Sequence, residues 1–324
     1  MRDKMKVYLT FDVEIWCNDW NQLDSRFPAA YERYIYGHSA NEGYALPKTL
    51  EILDRHGLKG VFFIEPLFAA RFGIKYLQAI VNLIREKKHD IQLHLHPEWA
   101  DEIRPLPFPG AIHKRQHLRY YTLEEQIILI RLGLELMSEV GCTHINAFRA
   151  GSFACNADTF TALRQCGILV DSSLNEVYPD SAPDLRGKIN FTRAFISGDL
   201  AFLPLTVFKD GIGRLRLAQI GACSFSELKT ALNSAYDNGS NHFVILSHNF
   251  EMLKQKSNYP DMIVTTRFED LCDYLSKNQD RFSVAVLDAL PIITQPEIPP
   301  PLPSVPISST LLRYGEQLIR RVMS

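Results

Sequence analysis

Apolar and polar positions alternate along this chain in two rhythms. Short runs of strand character recur at Lys6–Phe11, Gly60–Ile64, Asp90–Leu93, Ile145–Phe148, Ile168–Val170, Phe243–Leu246 and Phe282–Val286. Between them lie segments whose apolar residues fall three and four apart, as on one face of a helix. These predict helices over Leu46–His56, Tyr76–Lys87, Thr122–Val140, Ala157–Cys166, Ser224–Asp237 and Arg267–Lys277. Gly57 stands where a helix stops, and Thr122 with Glu125 makes a capping box. Strands such as GVFFI and FVIL, apolar at every position, imply burial on both faces and hence parallel pairing.

Strands alternating with helices of this length predict an α/β fold, a distorted (β/α) barrel of seven or eight parallel strands. Segment 186–220 breaks the rhythm and reads as an extra β excursion. Two long loops follow strand ends, Ile15–Ala45 and Pro97–Tyr121. In a barrel such loops build the active face. Residues 291–306 carry seven prolines and read as an extended, semi-rigid linker. Ser308–Met323 then predicts an amphipathic helix, with Leu311, Leu312, Leu318, Ile319, Val322 and Met323 on one face and Arg313, Arg320 and Arg321 away from it. The expected division is a barrel over 1–290 and a linker with its helix over 291–324. The helix is expected to dock on its own barrel or on a dimer partner, which would make a homo-oligomer. A peripheral membrane contact is the other reading.

The chain's 324 residues suit one such barrel, and 46% apolar residues suffice for its core. A formal net charge of −2 gives no basic field, so no nucleic-acid partner is expected. No apolar stretch has the length of a transmembrane segment, and no apolar leader opens the chain. The six cysteines form no CxxC pair and read as reduced thiols. A cytoplasmic location follows as an expectation.

Polar chemistry sits at the strand ends. Asp12 and Glu14 share a face if the first strand continues, because side chains repeat every two residues. His94 and His96 do the same at the third strand. Imidazoles with a carboxylate and an open water position are the ligand set of a catalytic divalent metal, zinc first and nickel or cobalt next. Glu98 competes with His96 as a ligand, and Cys17 is a stray candidate. Arg149, in Arg149-Ala150-Gly151-Ser152-Phe153, can pair with a carboxylate, and the turn at Ser152 and Phe153 offers N–H groups to an oxyanion. Asp171 is either a histidine's orienting partner or a helix cap. His248 ends the FVIL strand as a candidate proton donor. Trp16, Trp20, Tyr44 and Trp99 are candidates to stack on a carbohydrate.

Five segments in this order resemble the polysaccharide deacetylase family of carbohydrate esterase type, the nodulation-factor deacetylase homology domain, from about Val7 to Val286. Thr10-Phe11-Asp12-Val13-Glu14 resembles its TFDD motif with the second carboxylate one place later. His94 matches the first metal histidine, though the family spaces its histidines four apart. Arg149 matches the third motif without the Pro-Tyr pair, Asp171 the fourth, and Leu246-Ser247-His248 the fifth. The resemblance implies a metal-dependent hydrolase that removes acetyl groups from the N-acetylated sugars of a poly- or oligosaccharide. It implies Glu14, His94 and His96 on the metal, Asp12 as base held ionised by Arg149, and His248 as acid oriented by Asp171. The alternatives are hydrolysis of another amide, a cyclic imide or an O-acetyl ester on the same scaffold, or a non-catalytic glycan-binding protein.

Overall fold

A computed structural model describes residues 3–39, 42–255, 257, 259–293 and 299–322. Its main strands are β1 (Met5–Val13), β2 (Val61–Ile64), β3 (Asp90–Leu95), β4 (Ala147–Ala150), β5 (Val170–Asp171), β6 (Phe195–Ser197), β7 (Leu200–Phe202), β8 (His242–His248) and β9 (Phe282–Val284). In one part of the chain the strands run in the order β8-β1-β9, and in the other in the order β2-β3-β4-β5-β7-β6. The pairs β1–β8, β1–β9, β2–β3, β3–β4, β4–β5 and β5–β7 are parallel. β6, against β7, runs antiparallel. The expected α/β class and parallel barrel strands are therefore present, and the β excursion supplies the antiparallel edge.

The principal helices are α1 (Leu46–Arg55), α2 (Ile74–Glu86), α3 (Leu123–Glu139), α4 (Ala157–Gln165), α5 (Phe225–Asn238), α6 (Met262–Lys277) and α7 (Ile307–Val322). The capping box at α3 forms: Glu125 N–H donates to Thr122 Oγ1 at 3.3 Å and Thr122 N–H to Glu125 Oε2 at 3.0 Å. Such a cap is worth about 1 kcal/mol. Helix α6 starts five residues earlier than its periodicity suggested, because Asp261 accepts from Val264 N–H and caps it there. No helix among the described residues is long and apolar enough to cross a membrane.

Two compact units divide the chain. One comprises Met1–Gly60, Phe208–Ala285 and Pro300–Ser324. In it, Val7, Tyr8, Leu9 and Phe11 are all buried, as strand β1 with cover on both faces requires. Its two-stranded hairpin, Val207–Lys209 with Leu215–Leu217, receives the proline-rich segment alongside. Lys209 N–H donates to Pro303 O at 2.9 Å and Val305 N–H to Lys209 O at 3.0 Å. The described part of the proline-rich segment is thus extended, as expected, and docked. Residues 294–298 of it, and Met323 of the expected helix face, lie outside the described residues.

The other unit comprises Val61–Val207 and Val286–Pro299. Its strands β2, β3 and β4 carry Phe62, Phe63, Leu93, Leu95, Phe148 and Arg149 into the interior. Gln92 ties two of them: its side-chain carbonyl accepts the N–H groups of Asn146 and Ala147 at 2.9 and 2.8 Å.

Candidate metal centre and active site

In the first unit, β1 and β8 lie side by side with Asp12 opposite His248. Asn249 then clamps the end of β1. Its side-chain carbonyl accepts Glu14 N–H at 3.1 Å, and its amide donates to Glu14 O at 3.3 Å. Both backbone groups of Glu14 are thereby held, which aims its side chain. His248 Nε2 lies 3.4 Å from Glu14 Oε1, and Nδ1 donates to Glu251 Oε1 at 2.9 Å. Burial disfavours the imidazolium, but the Glu251 bond and the charges of Glu14, Glu251 and Asp12 outweigh it, so His248 is pushed up to about 9.

Glu251, three residues past His248, was not singled out in the sequence. It accepts from Gln219, from Gly221 N–H at 2.6 Å and from Ser247 Oγ at 3.2 Å as well as from His248. This corrects the expectation that Asp171 orients His248. Asp171 Oδ1 accepts Ser173 N–H at 3.0 Å and Oδ2 accepts Ser173 Oγ at 2.7 Å. It acts as the cap of its own turn, and its complete burial pushes the carboxyl up to about 7.

A cavity of about 480 Å³ opens beside His248 and Glu251. Trp16, Tyr34 and Phe250 give it aromatic walls, and Arg33 and Lys254 give it cations. Of the aromatic residues proposed to stack on a sugar, Trp16 belongs to it. Trp20 is exposed elsewhere on the loop, and Tyr44 lies under the Lys48 ammonium at 5.1 Å. Trp99 is a correction: it is 3% exposed and sits edge-on to Phe72 as core. Burial pushes the Cys17 thiol up to about 11.

In the second unit, His94 and His96 project from the end of β3 to the same side, ring centroids 4.8 Å apart. His94 Nδ1 lies 2.8 Å from Arg149 O. A carbonyl can only accept, so Nδ1 carries the hydrogen and Nε2 keeps its lone pair. His96 repeats the device, its Nδ1 donating to Glu98 Oε1 at 3.0 Å. Histidines that bind metals are commonly held this way, by an acceptor on the second nitrogen. Glu98, weighed as a rival ligand, instead orients His96.

Gly151 makes room for this arrangement. A Cβ there would stand 2.6 Å from Leu95 O and 2.9 Å from the His96 ring. The next two residues, Ser152 and Phe153, hold positive φ of 51° and 55°. Non-glycine residues reach this region at a cost, and such strain clusters at functional sites. Arg149 is completely buried, donating to Ser172 O at 3.1 Å and to Ser172 Oγ at 3.0 Å, with Phe63 beneath its guanidinium. Glu65, just past β2, escaped the sequence analysis. It is buried, accepts the N–H groups of Leu67 and Phe68, and is pushed up to about 8 by desolvation.

Glu14 in the first unit and His94 and His96 in the second are all buried, and each offers a ligand atom of the kind that holds a divalent metal. The donor set suits a catalytic divalent ion: three protein ligands, two of them imidazoles with the proton on the far nitrogen.

No protein-family model and no curated protein matches the chain. Among solved structures it is similar to a presumed polysaccharide deacetylase from Mycobacterium smegmatis. Identity is 19%, coverage is 91% of this chain and 95% of that one, and the TM-score is 0.55. A family 4 carbohydrate esterase from Streptomyces lividans, solved with acetate, is 12% identical over 86% of this chain and 91% of its own, with a TM-score of 0.44. The first likeness shows the fold, a polysaccharide-deacetylase type of (β/α) barrel.

Proposed function

We propose that this protein is a metal-dependent hydrolase that removes acetyl groups from the N-acetylated sugars of a poly- or oligosaccharide. The observation that carries the proposal is the pair His94 and His96 at one strand end, each with its Nδ1 held by an acceptor so that Nε2 is left for a metal, together with the buried Glu14 3.4 Å from His248. Those three residues would hold the ion, with zinc as the first choice for two imidazoles and one carboxylate and nickel or cobalt as alternatives. Bound there, a divalent ion supplies Lewis-acid polarisation of the acetyl carbonyl and a more acidic water.

The remaining steps fall to side chains. Asp12, opposite His248 across the β1–β8 pair, takes a proton from the attacking water. His248, kept as the imidazolium by Glu251, gives a proton to the departing amine. N–H groups of the strained turn at Ser152 and Phe153 serve the oxyanion, and Arg149 is assigned as the partner of the base. Trp16, Tyr34 and Phe250 present faces on which the apolar side of a sugar ring can rest.

The test is Asp12→Asn assayed on N-acetylated oligosaccharides beside metal analysis. The proposal expects the variant to lose on the order of a hundredfold or more in turnover, with metal content unchanged. Wild-type turnover by Asp12→Asn removes Asp12 from the mechanism. Hydrolysis of formamides, cyclic imides or O-acetyl esters in place of N-acetyl sugars moves the substrate class.

A further inference from the structure

Helix α7 is mounted inside out. Its polar side is buried against the body of its own unit. Arg313 donates to Glu227 at 2.9 Å and to Asp210 at 3.1 Å, and all three side chains are within 3% of full burial. Thr310 Oγ1 accepts Gly211 N–H at 2.9 Å. Arg320 reaches Asp261 at 2.6 Å and Arg267 binds Glu316. The apolar side faces out: Ile307 is 55% exposed, Leu311 60%, Leu312 50%, Leu318 65%, Ile319 49% and Val322 79%. A globular helix ordinarily does the opposite. The neighbouring hairpin extends the same surface with Ile212 and Leu215, 50% and 39% exposed, where Gly211 packs on Ile307.

We propose that this face is a docking surface for an anionic lipid bilayer. The charges decide between occupants. Asp210, Glu227, Asp261 and Glu316, the carboxylates that meet the arginines of α7 and α6, are each paired with an arginine, and the exposed arc of α7 carries Arg321 and no acid. Lys209 and Arg214, on the hairpin, are exposed cations with no acidic partner among the described residues. Apolar side chains rimmed only by cations match acyl chains beneath anionic headgroups. A second copy meeting this face across a two-fold axis would bring those cations together with no carboxylate to pair them. The buried ion pairs fix the helix to the body, so the bilayer would receive a rigid ridge. Arg320, on the inner side of α7, also lines the cavity beside His248, so the ridge backs onto that cavity's wall.

The experiment is co-sedimentation of the full chain with vesicles of phosphatidylcholine alone and of phosphatidylcholine mixed with phosphatidylglycerol, beside analytical ultracentrifugation without lipid. The expected result is a monomer that sediments with the mixed vesicles and binds neutral ones roughly tenfold less. High salt should weaken the binding. Leu311→Glu with Leu318→Glu should abolish it, and Arg214→Glu with Arg321→Glu should weaken it roughly tenfold. These side chains are exposed, so unchanged thermal unfolding will show that the variants fold. A chain that stays in solution beside the mixed vesicles overturns the proposal. So does a dimer that Leu318→Glu dissociates, which would assign the face to a second copy.

Discussion

His248 and Glu251 form a 2.9 Å hydrogen-bonded pair within one turn of chain, and the pair sets the charge of the imidazole. Removing the negative charge with Glu251→Gln lowers the His248 pKa from about 9. A general acid works only while protonated, so the rate falls as pH rises through that pKa. The variant should therefore lose activity at lower pH than wild type, by about one unit or more, with the acidic limb unmoved. A pH–rate profile of kcat checks this. Identical alkaline limbs would detach His248 from the acid role.

Glu98 holds His96 from behind, and the two should separate on substitution. His96→Ala removes a ligand and should abolish metal binding. Glu98→Gln leaves the ligand but weakens its orientation, costing about 10- to 100-fold in metal affinity. Metal titration of both variants measures the difference. If Glu98→Gln binds no metal and His96→Ala does, Glu98 is the ligand.

Asp171 carries a pH signature. Its carboxyl is raised from 3.8 to about 7 in the folded chain by burial. Between those values the folded state holds the proton that the unfolded state has released. Stability from this group is thus full below the unfolded value and is lost as pH rises toward 7, by at most on the order of 4 kcal/mol. Asp171→Asn should remove that slope. Urea unfolding at about pH 5 and about pH 8 should find the variant faring better, relative to wild type, at the higher pH. Equal differences at both values would contradict the assignment.

The strands, the helices and the strand-end chemistry were legible because period two and period three-to-four leave a direct trace in the sequence. His94 with His96, and Asp12 with Glu14, are visible as pairs two apart on strands. Glu251 and Asn249 are not, because they act from an irregular turn after β8, where no periodicity says which way a side chain points. Asp171 was assigned to the wrong partner for a related reason. A buried carboxylate takes the nearest donors, and Ser173 lies two residues away. Trp99 shows the limit of composition: an aromatic in a long loop turned out to be core. The sequence also showed which residues of α7 share a face. It did not show which face turns inward, because that depends on Asp210, Glu227 and Asp261, distant in sequence and waiting for arginines.

The central claim is that Glu14, His94 and His96 hold one catalytic metal ion. Elemental analysis of the purified wild-type chain and of His94→Ala, with hydrolysis of an N-acetylated oligosaccharide measured on the same samples, tests it most directly. The account predicts about one zinc, nickel or cobalt per wild-type chain, activity that a chelator removes and the metal restores, and neither metal nor activity in His94→Ala. A wild-type chain that takes up none of these metals, or a His94→Ala variant that keeps both metal and activity, would contradict it.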